Sequence, residues 1–124
     1  MTTNEYKNLV KKPSKCRNKK VATSEGVFDS KKEFRRWEDL KLLAAAGEIS
    51  DLKRQVRFEV IPSQYDPKTK KVIERNCCYF ADFTYLQDGE LIVEDVKGDP
   101  KRKPDYIIKR KLMLLVHGIS VKET

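Results

Sequence analysis

The dipeptide Asp88-Gly89 constrains this chain more than any other feature. Both residues tolerate the positive φ angles that a two-residue hairpin turn demands. The segment around it, Phe80 to Lys97, reads FADFTYLQDGELIVEDVK and is rich in strand formers. With Asp88 and Gly89 as the turn, Gln87 pairs with Glu90 and the register of the whole hairpin follows. Asp82 then falls opposite Asp95, and Lys97, two residues on, points to their face. Ala81, Phe83 and Tyr85 occupy the other face of the first strand, while Leu91 and Val93 lie beside the carboxylates. Strands apolar on both faces belong in a sheet interior, where charges need a reason.

Two facing carboxylates repel across about 5 Å of Cβ separation. A divalent cation resolves that conflict, and Mg²⁺ prefers a few carboxylate oxygens completed by water. Lys97 would add positive charge beside the metal and its water. Two aspartates and a lysine on one hairpin face therefore predict metal-assisted phosphodiester hydrolysis. The plain alternative is a solvated hairpin edge with chance charges, against which the apolar flanks argue. Glu94 neighbours Asp95 but points to the opposite face, against Phe83, unless a β-bulge exchanges the two. Asp95 is preferred because it alone shares a face with both Asp82 and Lys97.

At these residues the chain resembles the PD-(D/E)XK nucleases. Ala81-Asp82 followed by Asp95-Val96-Lys97 matches their signature, with Ala in place of the usual Pro. The wider ordered set (FDSKKEF, GEI, a Gln before RFEVIP, ADFTY and VEDVKG) is similar to a small phage and prophage branch, the DUF1064 type. That resemblance covers about residues 17–123. It implies a restriction-endonuclease-like core and cleavage to a 5′-phosphate and a 3′-hydroxyl. It also implies a metal role for the first-helix glutamate, Glu33, and a supporting role for Gln55. By family analogy alone, the substrate is a branched DNA such as a Holliday junction in phage recombination, replication or packaging.

The remaining residues bound this reading. Apolar residues make up 39% of the 124, enough for one core. No stretch approaches the roughly 20 apolar residues of a membrane span, and no membrane partner is expected. Cys16, Cys77 and Cys78 lack metal-ligand spacing and are expected as reduced thiols in the cytoplasm. Residues 1–20 hold seven Lys/Arg against one acid, and residues 97–111 seven against two. These two basic segments flank an acidic middle, so a polyanion is the natural partner. Residues 1–20 read as a flexible basic arm and 21–124 as the nuclease-like domain. Lys19, Lys20, Lys101, Arg102, Lys103, Lys109, Arg110 and Lys111 are the candidate DNA contacts; the plain alternatives are a basic tail that only aids solubility and a solvated helix face.

A helix is expected over about 30–46, opened by a Ser30/Glu33 capping box, with Phe34, Trp37, Leu40 and Ala44 facing inward and Gly47 ending it. Capping alone explains Glu33. A strand is expected over Asp51–Ile61 with Gln55 on its polar face, then a loop over Ser63–Lys71 and one long strand from Val72 to Gln87. Val21–Phe28 reads as a short strand with a Glu25-Gly26 turn. A second helix is expected over about 105–117, burying Ile107, Ile108, Met113, Leu114 and Leu115 and closed by Gly118. His117 reads as a helix-terminus residue, and Ile119–Lys122 as an edge strand. The fold class is α/β: a mixed sheet of four or five strands flanked by two helices.

The combined expectation is a Mg²⁺-dependent DNA endonuclease, with Mn²⁺ as a substitute cation. Asp82, Asp95, the Val96 carbonyl and Glu33 would hold the metal, Lys97 would serve the reaction, and Gln55 and Glu94 would support it. The rival class is a non-catalytic nucleic-acid-binding protein that keeps the fold. A homodimer is compatible with the chain but not specified by it.

Overall fold

A computed structural model describes residues 20–98 and 101–124. The chain runs β1 (Val21–Thr23), β2 (Gly26–Phe28), α1 (Lys31–Ala45), β3 (Ser50–Ile61), β4 (Gln64–Tyr65), β5 (Val72–Glu74), β6 (Cys77–Gln87), β7 (Glu90–Asp95), α2 (Pro104–His117) and β8 (Lys122–Glu123). The main sheet has the order β3-β6-β7-β8. β3 and β6, and β6 and β7, pair antiparallel, while β7 and β8 pair parallel. Parallel neighbours need a crossover, and α2 supplies it. The fold class is thus mixed α/β, with a four-stranded mixed sheet and two helices. The basic arm expected over 1–20 lies outside the described residues except for Lys20, which is exposed.

The central hairpin forms in the register that its turn dictates. Asp88 and Gly89 take φ of +52° and +77°, and Gln87 pairs with Glu90 through to Phe83 with Glu94. Along β7 the two cores separate by alternation. Ile92 and Val96 pack with Leu40, Ile49, Phe83 and Tyr85 against α1. Val93 packs with Val60, Tyr79, Ala81, Met113 and Val121 on the α2 side. Successive strand residues point to opposite faces, so each helix covers one face of the sheet here.

β6 does not keep this alternation. Phe83 and Tyr85 serve the α1 core, but Ala81 and Tyr79 serve the α2 core, contrary to the shared face expected for Ala81, Phe83 and Tyr85. The change falls at one register position. Arg54 pairs with Phe83 and Val56 with Ala81, while Gln55 and Asp82, which lie between, are not partners. Gln55 has φ of +51°, a left-handed conformation that is costly for a residue with a Cβ. The irregularity re-aims both strands beside Asp82, as bulges do next to functional sites.

Helix α1 starts as expected. The Glu33 amide donates to Ser30 Oγ at 3.1 Å, but the Glu33 carboxylate accepts from the Asp29 amide at 2.9 Å rather than from Ser30. Leu40 is fully buried, and Gly47 follows the helix at φ +80°. Helix α2 differs from expectation in the face it buries. Met113 is buried with Tyr106 and Leu112 beside it, while Ile108, Leu114 and Leu115 are exposed. The run Leu112–Val116 is apolar on every side, so its period cannot name a face. Gly118 closes α2 at φ +68°.

Three strand expectations are also corrected. The single strand expected from Val72 is broken: β5 folds back on β4 inside the expected loop, and β6 starts at Cys77. Residues 21–28 form a two-stranded hairpin rather than one strand. The edge strand lies at Lys122–Glu123 and shares only Lys122 with the expected 119–122. His117 is structural, as expected: its ring lies against Phe58, and its Nε2 lies 2.8 Å from the Glu59 carbonyl.

Candidate metal and phosphate site

β6 and β7 bring Asp82 and Asp95 together at the end of the hairpin. Their carboxyls stand within hydrogen-bonding reach of one another. Asp82 Oδ2 accepts from the Val96 amide at 2.9 Å. Asp95 Oδ2 accepts from the Tyr79 hydroxyl at 2.9 Å and lies 3.2 Å from Lys97 Nζ. The change of face in β6 is what puts Tyr79 on the side of Asp95. Burial, then the Asp95 carboxyl, push the Asp82 acid up to about 8, so the pair retains a proton at neutral pH.

Lys97 is held from two directions. Its ammonium sits 3.4 Å over the centre of the Tyr106 ring as well as beside Asp95. Its carbonyl accepts from Lys32 Nζ of α1. Its backbone is fixed by β8: the Asp95 carbonyl accepts from the Thr124 amide at 3.0 Å, and the Lys97 amide donates to the Thr124 carbonyl at 2.8 Å.

Glu33 is 3% exposed and near enough for its charge to act on both aspartates. Burial is the main cause that raises its acid above the ordinary range. Its Oε1 accepts from Gln55 Nε2 at 3.3 Å, so the expected glutamine touches the expected glutamate. Among the described residues, however, no three or more His, Cys, Asp and Glu side chains gather closely enough to hold a metal. The donor set brought together is therefore the Asp82/Asp95 pair, with Glu33 beside it.

Glu94 lies on the α1 side, as the register required, and its surroundings differ completely. Arg36 Nε and Nη2 donate to its two oxygens at 2.7 and 2.9 Å, the Tyr85 hydroxyl donates at 2.9 Å, and Thr124 Oγ1 at 3.3 Å. Burial works to raise its pKa, but Arg36 and Tyr85 outweigh burial and the net direction is down.

The basic residues divide. Lys101, Lys103 and Lys111 are exposed on the loop and helix after the hairpin, and Lys109 is half-buried. Arg102 and Arg110 instead reach Glu123 of β8. Lys19 lies outside the described residues. Sequence reasoning missed Tyr79, Tyr106, Arg36 and Glu123. Arg36 carried a signal, because it sits three residues after Glu33 on the same helix face. Tyr106 carried a weaker one, as an aromatic in a first helical turn beside a cation-rich loop.

Among the described residues no helix is long and apolar enough to cross a membrane. A family model described as "Protein of unknown function (DUF1064)" matches residues 13–121. No curated protein and no solved structure matches the chain.

Proposed function

The chain belongs to the DUF1064 family, and on that premise we propose that it is a Mg²⁺-dependent DNA endonuclease with a restriction-endonuclease-like core of the PD-(D/E)XK type. The observation that carries the reading is the Asp82/Asp95 pair, Asp95 buried and Asp82 half-buried, with Lys97 Nζ 3.2 Å from Asp95. The donors suit a hard cation: burial and the neighbouring Asp95 push Asp82 toward its neutral form, and a small divalent ion would satisfy both carboxylates instead. Asp82 and Asp95 would hold Mg²⁺ or Mn²⁺ together with the Val96 carbonyl, and Glu33 would complete the shell through water. The bound cation supplies Lewis-acid polarisation of a phosphodiester and hydroxide at neutral pH.

The chain's own residues do the rest. The Tyr79 hydroxyl and Val96 amide fix the two carboxylates in orientation. Lys97, held between Asp95 and the Tyr106 ring, offers its ammonium to the negative charge that develops on phosphate oxygens. Gln55 holds Glu33 toward the aspartates. Lys101, Lys103, Lys109 and Lys111 supply phosphate contacts along the DNA. Branched DNA is the proposed preferred substrate, and the host cytoplasm the proposed compartment.

A second reading, a nucleic-acid-binding protein without catalysis, is favoured by the absence of a three-ligand group among the described residues. Plasmid and junction cleavage with Mg²⁺, alongside gel shifts, separates the two. Asp82→Asn and Asp95→Asn are each expected to lose at least about a hundredfold in cleavage while binding DNA as well as the wild type or better. Retained turnover in both variants would overturn the metal site. Binding by the wild type with no cleavage under Mg²⁺ or Mn²⁺ would establish the second reading.

A further inference from the structure

Three donors converge on one oxygen at the edge of the sheet. Tyr106 Oη donates to Glu123 Oε2 at 2.6 Å, Arg102 Nε at 3.1 Å and Arg110 Nη1 at 3.2 Å. Two guanidiniums and a phenol around a single acceptor form a seat of the kind used for phosphate oxygens. Here the chain's own carboxylate fills it. Tyr106, and with it the two arginines, holds the Glu123 acid down to about 2, so the occupant is ionised at every physiological pH.

The seat stands beside the candidate catalytic pair. Glu123 is the register partner of Asp95 across the parallel β7–β8 ladder, which sets the two backbones about 4.8 Å apart. Tyr106 joins the two places, because its hydroxyl holds Glu123 while its ring carries the Lys97 ammonium.

We propose that Arg102, Arg110 and Tyr106 form a seat for a nucleic-acid backbone phosphate next to the one under attack, and that Glu123 occupies it as an internal phosphate mimic until nucleic acid displaces it. The inference deepens the nuclease reading and rests on its claim that DNA binds here. Glu123 lowers non-productive affinity, since a ligand must first evict a carboxylate from its three donors. On eviction, Tyr106 exchanges its carboxylate acceptor for an equivalent phosphate oxygen, so Lys97 keeps its aromatic platform.

The test measures binding rather than cleavage, using Glu123→Ala and the milder Glu123→Gln, which retains an acceptor should the alanine variant fold poorly. Duplex DNA affinity is measured in EDTA across a salt series. Both variants are expected to bind several-fold tighter than the wild type, with a log–log salt slope steeper by about 0.9 for one more phosphate neutralised. Adding Arg102→Gln and Arg110→Gln should cancel the tighter binding. If the wild type binds DNA and neither variant binds it more tightly, the seat is overturned while the DNA-binding reading stands. If the wild type binds no DNA, that reading falls, and thermal melts in inorganic phosphate decide the seat alone. Stabilisation of Glu123→Gln beyond the wild type supports an anion seat, and equal responses refute it.

Discussion

Glu94 and Asp95 are adjacent on β7, both buried, and could hardly differ more. Glu94 faces α1 and meets a complete set of donors: a bidentate guanidinium, a phenol and a threonine hydroxyl. Asp95 faces the other side and meets a second carboxyl, with a phenol and one ammonium as compensation. Burial alone therefore does not mark a functional acid. What separates the two is the partner: Glu94 is neutralised by a guanidinium, whereas Asp95 meets one ammonium and a second carboxyl that burial pushes toward its neutral form. One side of the strand ties α1 to the sheet, and the other sets two carboxyls against each other.

That contrast can be broken most forcefully at Arg36. Arg36→Met leaves Glu94 as an unpaired buried carboxylate and is expected to cost about 3–5 kcal/mol, read from urea unfolding at pH 7. Arg36→Met together with Glu94→Leu should recover most of that loss, because removing both partners of a buried pair is often near neutral. A loss below about 1 kcal/mol for the single variant would mean that the pair is not the anchor its geometry suggests.

The opposite response is expected at Asp82. Its folded pKa is raised to about 8, so the folded state holds the proton more tightly than the unfolded chain. The resulting penalty is absent below the unfolded value near 3.9. It grows as pH rises toward 8 and is complete above that. In EDTA, Asp82→Asn should therefore match the wild type at pH 4 and melt a few degrees higher at pH 8, since Asn still accepts from the Val96 amide. Mg²⁺ should raise the wild-type melting temperature more than that of the variant. A variant that melts lower than the wild type at both pH values would mean that the carboxyl pair is not strained.

The finest test is at Gln55, whose backbone and side chain make separate contributions. Gln55→Gly relieves the left-handed backbone, whereas Gln55→Ala keeps that strain, and both lose the contact to Glu33. Glycine is expected to be the more stable of the two by about 1 kcal/mol, measured by chemical denaturation. Alanine as the more stable variant would mean that the kink is not imposed on residue 55.

The hairpin half of this comparison was legible in the residues, because a two-residue turn and a period of two leave one register to choose. That register put Asp82, Asp95 and Lys97 on one face and Glu94 on the other. The rest was hidden for identifiable reasons. Nothing in the residue type at 55 announces a positive φ, so the change of face that delivers Tyr79 to Asp95 could not be read. Arg36 and Glu94 are 58 positions apart, and only the packing of α1 on the sheet joins them. An apolar run such as Leu112–Val116 names no buried side, so neither the exposure of Ile108, Leu114 and Leu115 nor the part played by Tyr106 is legible in it.

The parallel pairing of β7 with β8 has a consequence in time. Asp82 and Asp95 are 13 residues apart and meet as soon as the hairpin closes, whereas Asp95 and Glu123 are separated by 28 residues and the whole of α2. Closing the longer loop costs more chain entropy before any contact repays it. The carboxylate pair is therefore assembled early, and the strand that fixes the Lys97 backbone docks late. A partly folded chain would already carry its acidic pair but not yet a positioned lysine, so the candidate site would be completed only by the last step of folding.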